Sequence, residues 1–492
     1  MLTGSALTDR ERAVVDAAPK ELLVGGRWRQ SRSGATFPVE DPSTGEPICR
    51  VADATPEDGL EALAAASAAQ DAWAAHPPRE RGEILRRAYE TLVRRAEDLA
   101  LLMTLEMGKA VAESRAEILY AADFLRWFSE EAVRIDGSWT VAPSGAGRLL
   151  VMHQPVGPCV MVTPWNFPMA MGTRKVAPAI AAGCTMIVKP AQQTPLSMLE
   201  LARILEEAGL PAGVLNLVTT SSAGALVSPL LKDPRTRKLS FTGSTAVGRR
   251  LAEESAGNLL RVSMELGGNA PFLVFDDADL DAAVEGAMVA KMRNIGEACT
   301  AANRFLVAES LADEFARRLS ERMAELRVGR GSDPDTRVGP LIDEAGRAKV
   351  VELVDDAVRR GARLLTGGAA IDGPGHFYAP TVLVDVPRDA RLLREEIFGP
   401  VAPITRFRTE EEALAAANDT EYGLVAFAYT RDLARALRVV EGLQTGMVGL
   451  NQGMVSNAAA PFGGVKQSGF GREGGHEGIR EYLEVKYVAV AR

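Results

Sequence analysis

The sequence predicts an α/β protein built from two doubly wound units, and three observations carry that expectation. From about residue 160 onward, short apolar runs alternate with stretches of helical length, the pattern of a parallel sheet wound by helices on both faces. The alternation occurs twice, once before and once after Glu265-Leu266-Gly267-Gly268. The chain has 492 residues, 47% hydrophobic and 25% charged. That is length for roughly three domains and apolar material for large cores.

Taken in order, residues 57–135 predict helices: an alanine-rich one at 60–73, an amphipathic one at 79–102 and a third at 110–135. A strand at 160–162 ends at Thr163-Pro164-Trp165-Asn166-Phe167-Pro168, a helix covers 169–182, and a strand at 186–188 runs into Lys189-Pro190. Thr194-Pro195 is a start signal for a helix at 196–208. Strands at 214–218 and 238–241 follow, the second ending at Thr242-Gly243-Ser244 with a helix from about Thr245. The second series sets strands at 272–275 and 304–307 against helices at 280–293 and 311–327. A helix at 344–360, a strand at 362–365 and a helix at 410–418 continue it. Finally, 481–490 alternates apolar and polar residues as an edge strand does. The pattern suits an arm that pairs with another subunit and an internal edge strand equally.

Composition excludes several classes of partner. The net charge is −9 and no long basic run occurs, which argues against nucleic acid and anionic membranes. No apolar stretch is long enough to span a bilayer. Residues 1–20 mix Asp, Glu and Arg without an apolar core, so they do not read as a signal peptide, and the cytoplasm is the expected compartment. The four cysteines, Cys49, Cys159, Cys184 and Cys299, lie far apart, and no Cys/His cluster suggests a metal site. Cys159 and Cys184 fall in strand-like apolar runs and read as buried, inert thiols.

Chemistry concentrates at three places. Cys299 sits in Asn294-Ile295-Gly296-Glu297-Ala298-Cys299-Thr300, among small and polar residues rather than the Val, Leu and Ile around a packing thiol. Glu265 shortly precedes a glycine pair, and Asn166 lies in the loop after the first strand. A thiol, a carboxylate and an amide are the parts needed to form and hydrolyse a thioester. None of the four histidines accompanies a motif, so something other than a Cys–His pair would activate Cys299. Phe241-Thr242-Gly243-Ser244-Thr245-Ala246-Val247-Gly248 is a small-residue turn from strand to helix, a form that accepts a dinucleotide phosphate. It lacks the full GxGxxG spacing and is also the form of an ordinary βα turn. Lys189 and Gln192, at a neighbouring strand end, suit ribose hydroxyls or plain solvation.

In this order along the chain, Trp165-Asn166-Phe167-Pro168, Lys189-Pro190, Phe241-Thr242-Gly243-Ser244, Glu265-Leu266-Gly267-Gly268, Cys299 and Glu395-Glu396-Ile397-Phe398-Gly399-Pro400-Val401 resemble the aldehyde dehydrogenase superfamily, from Gly25 to Tyr487. The resemblance implies two Rossmann-like α/β domains plus a small β oligomerisation arm. Residues 1–133 and 154–267 would bind the cofactor and 268–447 would form the catalytic domain. Residues 134–153 and 477–492 would form the arm, with 448–476 returning to the active site. Cys299 would attack an aldehyde, the Asn166 amide and the Cys299 N–H would hold the oxyanion, and Glu265 would activate water. Thr163, Trp165, Lys189, Gln192, Gly243, Ser244, Leu266, Glu396 and Phe398 would hold NAD or NADP. No metal is implied. Homodimers or homotetramers are.

Within the superfamily the sequence is most similar to succinate-semialdehyde dehydrogenases. Arg174, Arg293 and Ser456 match residues that bind the distal carboxylate there, and two guanidiniums suit a carboxylate that must lose its water. Three positions depart from common patterns. Glu297 stands where Gln is usual, and a carboxylate two residues before the nucleophile would disfavour the thiolate unless it points away. Gln192 stands where NAD-preferring members often carry Glu, which leaves cofactor preference open. Ala301 replaces a cysteine that some relatives pair with the nucleophile, so no local disulfide switch is expected.

Overall fold

The computed structural model describes residues 7–491. Residues 1–6, part of the stretch read above for a signal peptide, and Arg492 lie outside the described residues. Two large sheets dominate. The first has five parallel strands in the spatial order Arg261–Glu265, Lys238–Thr242, Cys159–Val162, Met186–Lys189, Leu215–Leu217. The chain thus starts in the middle and winds outward both ways, which puts a switch point between Cys159–Val162 and Lys238–Thr242. Thr163 and Gly243 follow directly on those two strands. The four strands from Cys159 to Thr242 are buried along their whole length, as a sheet covered on both faces requires.

Short antiparallel strands extend this sheet at both edges: Leu22–Val24 with Arg27–Arg29, and Gly469–Phe470. The first pair turns on Gly25 and Gly26, whose φ of +59° and +75° suit a tight hairpin. The helix expected at 79–102 is two helices, Pro78–Arg94 and Ala96–Met107, because Arg95 leaves helical geometry at φ −98°, ψ 12°. Nearly every residue of Ala96–Met107 is buried, so its composition shows no one-sided stripe that would mark the change of direction.

The second sheet has seven strands in the order Arg363–Thr366, Thr381–Val384, Val401–Phe407, Ala302–Ala308, Ala270–Val274, Val425–Tyr429, Met447–Leu450. All pair in parallel except Arg363–Thr366. Each large sheet buries apolar side chains on both faces. A third, antiparallel sheet joins Ser138–Val141, Gly147–Pro155 and Leu483–Ala491. The alternating C-terminal segment is therefore an edge strand whose described partner belongs to the same chain. Among the described residues, no helix is long and apolar enough to cross a membrane.

One connection sets up the site. The outermost parallel strand of the first sheet, Arg261–Glu265, passes through only four residues into Ala270–Val274 of the second. Glu265 therefore sits at the seam between the sheets.

Candidate active site

The loop that carries Cys299 begins where helix Leu280–Met292 ends. Asn294, Ile295 and Gly296 take φ of +54°, +62° and +78° in succession. For the two non-glycine residues this conformation costs about 1–3 kcal/mol each and persists only when neighbours hold it. Here they do. Asn294 donates its backbone N–H to Glu113 Oε1 at 2.7 Å, and its side-chain amide to the carbonyls of Glu297 at 2.8 Å and Asn166 at 3.1 Å. A Cβ on Gly296 would strike the Gly399 carbonyl. The turn delivers a half-buried Cys299 just before strand Ala302–Ala308.

Asn166 precedes helix Pro168–Ala182 and is buried. Its Nδ2 donates to the Glu297 carbonyl at 3.0 Å, which fixes the amide beside the nucleophile loop. An amide nitrogen has two N–H donors, and one remains. The Asn166 carbonyl accepts from Lys109 Nζ at 2.7 Å. Lys109 is fully buried and paired with Glu117 at 2.6 Å. Glu117 in turn accepts from the backbone N–H groups of Met169 and Ala170, at the positive end of the helix. Lys109 and Glu117 were not legible as site residues, since each reads as an ordinary charge on a helical stretch.

Glu265 is buried, and its Oε2 has no hydrogen-bond partner among the described residues. Burial, together with the nearby Glu473, holds its carboxyl well above the usual carboxylate range, against the pull of Arg174, Lys175 and Arg472. Glu473 is itself anchored by the Lys175 ammonium, which also donates to Ser240 Oγ at 3.0 Å. The glycine pair brings this carboxylate to the thiol: a Cβ on Gly268 would strike the Cys299 carbonyl. Burial pushes the Cys299 thiol up to about 12, with Arg174 and Arg293 opposing and Glu396 and Glu265 adding to the rise. Glu297 is not among the charges that act on the thiol. Its Oε1 accepts from the Ile342 N–H at 3.1 Å, and burial raises its carboxyl well above the usual range. Burial thus disfavours a charge on Glu297, and its Oε1 is tied to Ile342 rather than to the thiol.

On the other side of Cys299 lies a cradle with open polar groups. Thr163 Oγ1 and Thr242 Oγ1, flanking the switch point, are buried without partners among the described residues. Lys189 is only 7% exposed with no hydrogen-bond or ion-pair partner among the described residues, and burial lowers its ammonium to about 8. Ser244 caps helix Thr245–Ala256 without a side-chain cap bond, and Leu266 is buried behind Gly248. Gln192 is exposed. Trp165 and Phe398 meet edge-to-face at 5.3 Å. Of the two adjacent acids, Glu395 turns away to Arg391, whereas Glu396 accepts from the Gly268 N–H at 3.0 Å and is raised to about 7 by burial. Orphaned donors at a switch point and a buried cation without a counterion are what a dinucleotide would satisfy.

A cavity of about 540 Å³ opens on the far side of the nucleophile loop, lined among others by Arg293, Ser456, Tyr120, Phe167 and Glu113. Arg293 Nη1 donates to Ser456 Oγ at 3.0 Å, and its guanidinium lies 4.8 Å from the Phe167 ring centre. Arg174 sits deeper, only 2% exposed, stacked at 3.9 Å on Phe462 and donating from Nη2 to Tyr120 Oη at 2.8 Å. It does not line the cavity. Tyr120 and Glu113, both on helix Val111–Glu131, escaped the sequence reading because that stretch reads only as a helix and carries no motif. The other three thiols lie apart from this site. Cys159 and Cys184 are fully buried, as expected.

A cysteine enclosed between two doubly wound sheets, next to a buried carboxylate, a fixed amide and a dinucleotide-type cradle, defines a class: a cofactor-dependent enzyme working through a thiol. The chain belongs to the aldehyde dehydrogenase family, whose sequence model matches residues 28–488. It is 61% identical over 444 residues to a succinate-semialdehyde dehydrogenase of Paenarthrobacter nicotinovorans, covering 90% of this chain and 99% of the relative. It is 49% identical to the NADP(+) succinate-semialdehyde dehydrogenase of Escherichia coli K12, covering 96% and 98%. Among solved structures, a succinate-semialdehyde dehydrogenase from Burkholderia pseudomallei superposes with a TM-score of 0.95 at 47% identity, covering 99% and 100% of the two chains.

Proposed function

We propose that this enzyme oxidises succinate semialdehyde to succinate, with NAD or NADP as hydride acceptor. In this reading Cys299 gives up its thiol proton to water and attacks the aldehyde carbon as a thiolate, forming a thiohemiacetal. The Asn166 Nδ2 hydrogen and the Cys299 backbone N–H stabilise the oxyanion. NAD or NADP held in the cradle would supply the hydride acceptor that the passage from thiohemiacetal to thioester on Cys299 requires. Glu265 then removes a proton from water as it attacks the thioester, which frees succinate and restores the thiol. Burial raises its carboxyl above the usual carboxylate range, which makes its ionised form a stronger base. Thr163, Trp165, Lys189, Gln192, Gly243, Ser244 and Leu266 would hold the adenosine and pyrophosphate, and Glu396 and Phe398 the nicotinamide half. No residue of Gln192's charge type would repel a 2′-phosphate.

The observation that carries the substrate assignment is the hydrogen-bonded Arg293–Ser456 pair inside the cavity beside the nucleophile loop. A guanidinium and a hydroxyl in a largely apolar pocket are suited to a carboxylate, and Arg174 adds positive charge from behind. The pocket is larger than a four-carbon acid fills, so glutarate semialdehyde is the second reading. One methylene changes discrimination by only about 1–3 kcal/mol. Comparing kcat/KM for the two semialdehydes and for butanal tests the assignment, and equal values for butanal and succinate semialdehyde would remove it.

The domain division proposed is 1–133 with 154–267 for the cofactor and 268–447 for catalysis, with the three-stranded sheet as an oligomerisation arm. A homodimer or homotetramer in the cytoplasm completes the reading. Its support is the exposed apolar side chains of that sheet, Trp139, Val485 and Tyr487.

A further inference from the structure

We propose that Tyr120 is a third carboxylate-binding group of the cavity and determines selectivity for the charged substrate. It would donate its phenolic O–H to the distal carboxylate while its oxygen accepts from Arg174. The inference rests on the ω-carboxylate reading above.

Three observations support it. First, Tyr120 lines the same cavity as Arg293 and Ser456, whereas Arg174 does not. Second, its Oη accepts from Arg174 Nη2 at 2.8 Å, yet its own O–H has no acceptor among the described residues. A phenol is both donor and acceptor, and accepting from a cation polarises the O–H and makes it a better donor. Third, the ring lies beside both arginines. The Arg174 and Arg293 guanidinium carbons lie 5.9 and 5.7 Å from its centre. The hydroxyl is therefore the route by which the charge of a fully buried Arg174 reaches a ligand in the cavity. A neutral aldehyde has no use for that donor, so the group acts on selectivity rather than on the reaction at Cys299.

The test is Tyr120→Phe, which removes one oxygen and keeps the ring against Phe124 at 4.9 Å. Measured for wild type and variant are kcat/KM for succinate semialdehyde and for butanal, and the inhibition constant of succinate against butanal oxidation. The expected result is a ten- to hundredfold fall in the semialdehyde-to-butanal ratio, expressed in KM, with a matching rise in the succinate inhibition constant. Equal losses on both substrates would reduce Tyr120 to a structural support and overturn the inference. So would an unchanged ratio in the variant while the wild type prefers the semialdehyde, and that outcome leaves the carboxylate reading standing. A wild type with no preference overturns both. If Tyr120→Phe does not fold, Tyr120→Leu also removes the donor, and the same ratio and inhibition constant decide.

Discussion

Replacing Arg293 by Met removes one charge from the cavity and keeps most of the stem that packs along Phe167. The guanidinium is only partly exposed, is fixed to Ser456 at 3.0 Å and sits over the Phe167 ring at 4.8 Å. It is therefore preorganised, and a substrate carboxylate meeting it gains a charge-assisted hydrogen bond. Such bonds contribute about 1.5–3 kcal/mol net. At about 1.4 kcal/mol per tenfold, that is a loss of roughly 10- to 150-fold in kcat/KM for succinate semialdehyde. The loss is expected in KM, because the carboxylate contact is present in ground and transition states alike. The assay is formation of reduced cofactor, at saturating cofactor, with succinate semialdehyde and butanal in parallel. Butanal is expected to change by less than about threefold, since it meets only the apolar wall. An equal fall with both aldehydes would show that Arg293 supports the Asn294–Gly296 turn rather than the substrate, and the carboxylate argument would fail.

Four further outcomes follow from the same geometry. Cys299→Ala is expected to abolish turnover with both aldehydes while leaving the thermal midpoint intact, and residual turnover at wild-type level would exclude the thiol as nucleophile. Glu265→Gln is expected to give a rapid burst of about one reduced cofactor per active site and then a slow steady state, whereas a wild-type steady state would exclude it as the base. Because burial raises the Glu265 carboxyl, its basic form appears only as pH rises through that raised value. Thioester hydrolysis should thus increase as pH rises through that raised value, and a rate that falls with rising pH would contradict the assignment. Gly296→Ala combines a φ of +78° with a collision against the Gly399 carbonyl. A loss of about 2 kcal/mol or more in stability is expected, visible as a lowered thermal midpoint.

The winding of the fold was open to sequence reading because each long parallel strand is a short apolar run beside a helix of clear period. What escaped has specific causes. Leu22–Val24 and Arg27–Arg29 are three-residue strands, too short for a period of two to register. Val401–Phe407 and Val425–Tyr429 pair with Ala302–Ala308 and Ala270–Val274, far back in the chain, and Met447–Leu450 pairs with Val425–Tyr429; local pattern carries no such information. The site divides in the same way. Cys299, Glu265 and Asn166 were visible because each sits in a composition unusual for a core. The groups that hold them, Lys109, Glu117, Glu113 and Glu473, are charges on ordinary-looking segments, and only the fold shows that Lys109, Glu117 and Glu113 reach backbone N–H and C=O groups and that Glu473 pairs with Lys175. The resemblance picked Glu396 over its neighbour Glu395, and the fold shows the first accepting from the Gly268 N–H and the second turned to Arg391. Arg174, expected to bind the distal carboxylate, is buried and donates to Tyr120 Oη, a neighbour that sequence spacing alone does not reveal.

The most direct test of the central claim is the near-ultraviolet absorbance of reduced cofactor when the enzyme, with Cys299 reduced, receives succinate semialdehyde and either NAD or NADP. The account predicts turnover with a KM far below that for butanal. It also predicts measurable NADP use, because Gln192 carries no charge to repel a 2′-phosphate. Turnover of butanal alone would contradict the carboxylate assignment and leave an aldehyde dehydrogenase for neutral substrates.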